Sequence, residues 1–293
     1  TKIIWYRTDD SNKWRGIWKG DPDTVFVPLL AHPDNRSITV ITNEHTDHAI
    51  LTTYDRVTEE YGEILFSIEG ADVESAKVNP AKTRVVSVTS IRDGVSEQHF
   101  LEDPTVAFPE LLDTQAYGSA PYVIDLSYDE RHAIVRTSTN DDPGEFFLFD
   151  ADKNLSYRIG QLRPWLSRFR LGKTRTIRTV AEDGLEIESY LTMPDAVHER
   201  PPLIVMPHGG PISVRDTRDF DSTVQLFATL CYAVLQTNYR GSGGFGKTFE
   251  SKGERQWGRQ IEDDIEASLE TVLDLDIVDD ARVCIYGASY GGY

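Results

Sequence analysis

The strongest chemical signal lies at the end of the chain. Gly287-Ala288-Ser289-Tyr290-Gly291 fits G-x-S-x-G. That pattern sets a serine on a sharp strand-to-helix turn with its hydroxyl exposed. The short apolar run Cys284-Ile285-Tyr286 leads into it, as a buried strand would. Glycines suit such a turn because neighbouring backbone has no room for Cβ atoms. Ser289 is therefore the candidate nucleophile for acyl transfer. A serine of this kind needs a histidine base and a carboxylate to orient that base. In enzymes with this pattern both partners follow the serine in the chain. Only Tyr290, Gly291, Gly292 and Tyr293 follow it here, so we expect the acid and base beyond Tyr293 and the sequence to be a piece of a longer chain. The competing reading is a strand-ending turn that happens to contain a serine.

His208-Gly209-Gly210-Pro211 follows the apolar run Pro202–Pro207. Acyl transfer builds negative charge on the substrate oxygen, and backbone N–H groups aimed at that oxygen stabilise it. One donor is the residue after the nucleophile, here Tyr290, and the second comes from a loop after an earlier strand. Gly209 or Gly210 fits the second role, because glycine lets substrate approach the backbone. His208 precedes Ser289 and is assigned to bracing the loop rather than to the base. Arg240, at the head of the glycine-rich stretch Asn238–Phe249, is given the same supporting task. That stretch invites comparison with phosphate cradles. We set the template G-x-x-x-x-G-K-[ST] aside on spacing, and the G-x-G-x-x-G match at Gly241, Gly243 and Gly246 for want of a ribose-binding acid. The stretch is read as a loop beside the catalytic pocket. Asp263 and Asp264 lie upstream of Ser289, the wrong order for a triad carboxylate, and are read as helix-face or loop-bracing groups.

Two kinds of rhythm must position these residues. Up to about Gly160 the chain reads as short strands, rich in β-branched and aromatic residues and bounded by Asp, Asn, Gly and Pro. They are Ser37–Asn43, Ala49–Asp55, Glu63–Glu69, Thr83–Ile91, His132–Asn140 and Glu145–Asp152. Small antiparallel meanders in series suggest propeller blades, with a two-sheet sandwich as the alternative. The span is short for a large propeller at roughly 40–50 residues per blade, so the start is expected to be incomplete as well. After residue 174 the pattern changes. Arg175–Pro194 reads as a hairpin turning at Asp183-Gly184. Apolar strands at Pro202–Pro207, Tyr232–Asn238 and Arg282–Gly287 alternate with helices at Arg215–Leu230 and Glu254–Asp276. Trp257, Ile261, Ile265, Leu269 and Val272 or Leu273 are expected to form the apolar face of the second helix. Such alternation implies a largely parallel sheet covered on both faces.

Composition narrows the remaining classes. The chain has 293 residues, 39% hydrophobic and 27% charged, which is globular and large enough for two domains. Its 48 acidic against 30 basic residues give a net charge of −18. That disfavours nucleic acid and anionic membrane surfaces, both of which require clustered Lys and Arg. Cys231 and Cys284 sit in apolar runs and read as buried free thiols. No C-x-x-C or H-E-x-x-H metal pattern occurs. The sequence does not indicate a compartment or an oligomeric state.

Taken together, "HGGP", "YAVLQTNYRGSGGFGKTF", "QWGRQIEDDIEA" and "GASYGGY" come in an order and at distances that resemble the prolyl oligopeptidase family of serine peptidases. The likeness is greatest to its acylaminoacyl-peptidase and dipeptidyl-peptidase branch and covers about residues 174–293. The strand-rich part resembles that family's β-propeller by position and rhythm alone. The resemblance implies a partial all-β propeller over residues 1–165, gating an α/β-hydrolase domain over 174–293 that is incomplete at its C-terminus. It implies Ser289 as nucleophile, Tyr290 and Gly210 amides as oxyanion donors, short peptides as substrates, and no metal or organic cofactor. Cys231 departs from the pattern, since relatives often carry glycine before the Tyr-Ala-Val strand. Thr58–Glu63 could suggest the paired glutamates that bind a substrate amine in dipeptidyl peptidases, but reads more simply as a solvated strand connection. The alternatives are an esterase with the same elbow and a non-catalytic propeller binding protein with an incomplete hydrolase domain.

Overall fold

The computed structural model describes residues 1–7, 13–101, 121–195 and 199–293. They fall into two compact units. The first draws on Thr1–Ser90, Glu97–Pro104 and Gly244–Thr248, and the second on Ile91–Ser96, Thr105–Gly243 and Phe249–Tyr293.

The strand-rich region begins with a two-stranded ribbon, β1 (Lys2–Tyr6) and β2 (Arg15–Gly20), which the sequence reading did not include. A four-stranded antiparallel sheet follows, made of β3 (Phe26–Ala31), β4 (Ser37–Thr42), β5 (Ile50–Asp55) and β6 (Glu60–Phe66). Trp18 stacks on Phe26 with ring centroids 4.5 Å apart, and Tyr54 meets Phe26 edge-on at 5.2 Å. These rings fill one core with Ile38 and Val40. A three-stranded sheet has the order β7 (Val73–Val78), β8 (Val85–Arg92), β9 (Val95–Phe100). A second four-stranded meander consists of β10 (Pro121–Leu126), β11 (His132–Thr139), β12 (Asp142–Asp150) and β13 (Leu155–Gln161). Each meander pairs neighbours in sequence, as local antiparallel turns dictate. The β11–β12 turn is tighter than expected, with Thr139 paired to Asp142.

In the second unit one mixed sheet has the order β14-β15-β17-β16-β18, from β14 (Lys173–Val180), β15 (Glu186–Met193), β16 (Pro202–Val205), β17 (Ala233–Asn238) and β18 (Asp279–Ile285). The first two form the expected hairpin, with Gly184 at φ +85° in its turn. The pairs β16–β17 and β16–β18 are parallel, while β15–β17 is antiparallel. Helices α1 (Ser222–Thr229), α2 (Lys247–Ser251) and α3 (Gln260–Asp274) complete the described part.

Both predicted helices are shorter than expected. The Asp221 carboxylate accepts from the Thr223 and Val224 amides and starts α1 there, six residues after Arg215. Leu230, expected to end the helix, lies beyond it and is exposed. The Glu262 carboxylate reaches back to the Arg259 amide at 2.7 Å and fixes the start of α3. Trp257 therefore precedes that helix and is exposed rather than in its core face. Ile261 and Val272 are buried on that face as expected, but Asp264 and Ser268 are buried with them.

The cysteines also differ from expectation. Both are free and exposed. Cys284 lies on β18, the outermost strand of the sheet order, where most side chains are exposed. Cys231 follows α1 at φ +66°. Its amide bonds the Ala228 carbonyl and the Tyr232 amide bonds that of Phe227, each at 3.1 Å, the Schellman pattern that favours glycine. A side chain at positive φ costs roughly 1–2 kcal/mol, part of which glycine's extra chain entropy returns. Cys231→Gly should therefore raise stability by about 0.5–1 kcal/mol, read as a higher denaturation midpoint with an unchanged slope.

Candidate active site

Ser289 sits at the junction of β18 and a short 3-10 turn, Ser289–Gly292. It is exposed, and its φ is +56°, a left-handed conformation rare for a side chain other than Asn or Asp. The packing around it explains why it stays there. A Cβ on Gly287 would meet the Gly291 carbonyl oxygen at 1.9 Å, and one on Gly291 would meet the Pro207 carbonyl oxygen at 2.0 Å. The turn is thus pressed against the end of the segment that follows β16. Both flanking glycines of the motif are sterically required.

The same contact brings the His208–Pro211 loop to the serine. A Cβ on Gly209 would lie 3.4 Å from Ser289 Cβ and 3.8 Å from Ser289 Oγ. Gly210 stands at φ +126°, in backbone that a side chain rarely adopts. Among the described residues neither the Gly210 nor the Tyr290 amide has a protein acceptor. The Tyr290 ring turns away to α3, where its hydroxyl donates to Glu262 Oε1 at 2.7 Å. Burial and that carboxylate push the phenol above its usual range. Trp257, placed in a helix core by sequence, instead has its ring centroid 6.1 Å from that of Tyr290.

His208 is committed to the loop. Its ring stacks on Tyr239 with centroids 4.3 Å apart. Nδ1 faces the Gly209 carbonyl at 2.7 Å, and Nε2 lies 3.0 Å from Ser242 Oγ. The Tyr239 hydroxyl donates to the His208 carbonyl at 2.7 Å. With both nitrogens engaged, the ring is not placed to deprotonate Ser289. Burial, chiefly, and the Arg215 cation push the imidazole below its ordinary 6.5.

Arg240 is buried and bound on two sides. Its amide and Nε each donate to Asp264 Oδ2 at 2.9 Å, and Nη2 reaches Asp264 Oδ1 at 2.8 Å. Nη1 donates to Asp183 Oδ2 at 2.9 Å. The guanidinium holds the Asp183 carboxyl below its usual range. Burial pushes Asp264 up, against the pull of Arg240. Asp263, the neighbour considered with Asp264, stays exposed. The partnership of Arg240 with Asp183 was missed because Asp183 reads in sequence only as a turn residue. Glu59 and Glu60 of the possible amine site are exposed, Glu59 in a turn and Glu60 opening β6.

The glycine-rich stretch requires a correction. Letter by letter, Gly241–Thr248 does satisfy G-x-x-x-x-G-K-T, so spacing was no ground for rejecting a phosphate cradle. The contacts are. Within the first unit the Gly246 amide donates to Asp72 Oδ2, the Thr248 amide to Asp47 Oδ1 and Lys247 Nζ to the Asn43 carbonyl. The donors that would hold phosphate are committed, the two amides to carboxylates whose charge repels an anion and the Lys247 ammonium to a backbone carbonyl. Within the second unit Gly241 and Gly243 hold the backbone of the loop after His208 through Ser213 and Val214. Among the described residues no His, Cys, Asp and Glu group is arranged to hold a metal, and no helix is long and apolar enough to cross a membrane.

A mixed sheet whose parallel strands β16 and β18 run into a glycine loop and a serine turn fits the hydrolase class of α/β protein. The prolyl oligopeptidase family model matches residues 218–293, which contain the elbow. Dipeptidyl aminopeptidase BIII of Pseudoxanthomonas mexicana is 30% identical over 76% of this chain and 33% of its own length. Dipeptidyl peptidase family member 6 of Caenorhabditis elegans is 25% identical over 98% of this chain and 42% of its own. A Pyrococcus horikoshii acylaminoacyl peptidase structure superposes with a TM-score of 0.68 at 20% identity, covering 99% of this chain and 44% of that one, which speaks to fold. The chain belongs to the prolyl oligopeptidase family. It spans less than half the length of these relatives.

Two outcomes follow from this geometry. Breaking the buried pair with Arg240→Met or Asp264→Leu alone should cost about 3–5 kcal/mol, and the double variant much less than the sum. Urea denaturation of the three variants checks this. For His208, a lowered folded pKa means its stabilising contribution is complete above about pH 6.5 and is lost as pH falls from there through the folded value. Its imidazole resonances followed by NMR should therefore show a midpoint below 6.5.

Proposed function

We propose that this chain contributes the nucleophile and oxyanion donors of a serine peptidase acting on short peptides. Ser289 attacks the carbonyl carbon, the amine leaves, and water hydrolyses the acyl-enzyme. The Tyr290 amide with that of Gly210 or Gly209 binds the oxyanion. His208 and Arg240 keep the loops carrying these donors in place. We assign residues 1–165 to a partial propeller and 174–293 to the start of the hydrolase domain. The observation that carries the reading is Ser289 at φ +56°, locked between Gly287 and Gly291 with the Gly209 backbone alongside. The dipeptidyl and acylaminoacyl peptidase relatives support release of N-terminal units as the activity.

The test uses the native gene product. A fluorophosphonate probe should label it, and Ser289→Ala should abolish labelling without lowering the unfolding midpoint. Equal labelling of both proteins would remove Ser289 from the nucleophile role. Fluorogenic dipeptidyl and N-acyl-aminoacyl amides, offered side by side, then discriminate the two activities.

A further inference from the structure

The loop from Gly209 to Phe220 presents a proposed oxyanion donor at one end and enters α1 at the other. Its middle is tied to β17. The Asp216 amide donates to Asn238 Oδ1 at 2.8 Å, and Asn238 Nδ2 donates back to the Asp216 carbonyl at 3.2 Å. Asn238 itself is fully buried. This reciprocal clamp leaves the Asp216 carboxyl turned inward. Its Oδ2 is sealed from solvent and has no hydrogen-bond partner among the described residues. A buried ionised oxygen without a donor is costly, whereas a protonated carboxyl needs much less solvation.

Asp216 has few charged neighbours. Gln236 on β17 offers a side-chain donor, Arg215 on the same loop is a cation, and Asp221 at the α1 cap is an anion. Arg215 is drawn towards β15, where its Nη2 lies 3.6 Å from Glu188 Oε1 and 3.4 Å from the Tyr190 hydroxyl. Tyr239, just past β17, feels the Asp216 charge and stacks on His208. The second carboxylate nearby thus opposes ionisation of Asp216, and the one cation is shared with Glu188.

We propose that Asp216 is a positioning residue that works as the neutral acid, seating the 209–220 loop so that its glycine amides face Ser289, and that ionising it loosens this loop. The inference rests on the oxyanion-loop reading above. Burial, chiefly, pushes the Asp216 carboxyl up to about 7. A folded value above the unfolded one means that stability is complete below about pH 4, declines as pH rises, and is fully lost above about 7.

Asp216→Asn mimics the neutral acid at every pH. The native gene product and this variant should be compared from pH 5.5 to 8.5 by fluorophosphonate labelling rate and by thermal unfolding. The expected labelling ratio, variant to native, is near one at pH 5.5 and rises several-fold by pH 8.5. The variant's melting temperature relative to the native protein should rise over the same interval. A labelling ratio flat with pH overturns the proposal, even where both proteins label well. Parallel melting curves at all pH values overturn it as well. Absence of labelling in both proteins at every pH would instead defeat the Ser289 reading and the positioning role with it, while the melting curves would still report whether Asp216 is neutral.

Discussion

Close backbone approach at Gly291 is the constraint on which the site depends. Its Cα side faces the Pro207 carbonyl at a distance that excludes any side chain, and Gly287 is closed in the same way by Gly291. Two chain segments from different strands therefore meet without intervening atoms. One carries Ser289 and the other begins the His208–Pro211 loop. Because β16 and β18 are parallel neighbours in the sheet, both segments leave the same edge. The pairing of these strands thus places serine and glycine loop side by side. The positive φ of Ser289 is a local cost of roughly 1–3 kcal/mol, and the packing of the surrounding backbone offsets it.

Electrostatics hold the second tier. The chain is strongly acidic, yet the interior next to the site contains a cation, Arg240, that two carboxylates neutralise. Asp264 approaches from α3 and Asp183 from the β14–β15 turn, so one guanidinium ties a helix and a hairpin to the end of β17. Its planar fork suits this geometry better than a lysine would. Beyond Arg240 the chain passes Gly241 and Gly243, whose backbone groups bind Ser213 and Val214 of the 209–220 loop. Helix, hairpin and loop consequently share one anchor, and a disturbance at Arg240 reaches the loop beside Ser289 through the adjacent Gly241 and a backbone hydrogen bond.

Much of this was legible because it was written locally. The elbow motif, the hairpin at Asp183-Gly184, the alternation of β16, β17 and β18 with helices, and the blade-like strands all follow from spacing within a few residues. What escaped was set by distant partners or by caps. Asp221 starts α1 late by capturing two amides, and Glu262 starts α3 after Trp257, so the apolar periodicity overran both helix starts. Asp264 and Ser268 lie on a face expected to be apolar, because a buried Arg240 and the Ser189 hydroxyl await them. The phosphate-loop spelling at Gly241–Thr248 shows the converse: a pattern can be complete while its donors are committed to Asp47 and Asp72.

The 209–220 loop illustrates how a flexible-looking segment is made definite. It contains two glycines and a run of polar residues, and no regular structure pairs with it. Its course is fixed by scattered single contacts: His208 on Tyr239, Ser213 and Val214 on the glycine-rich loop, Asp216 on Asn238, and Arg218 on the Gly94 carbonyl. Each is worth only about 1 kcal/mol by itself. Spread along the loop, they restrict every few residues and leave little freedom between anchors. A donor amide must hold its direction while charge develops on the substrate oxygen, because preorganisation is what makes such donors effective. A loop pinned at intervals would meet the demand that the proposed role places on it, and Gly209 already lies against Ser289, where an added Cβ would be 3.4 Å from the serine Cβ.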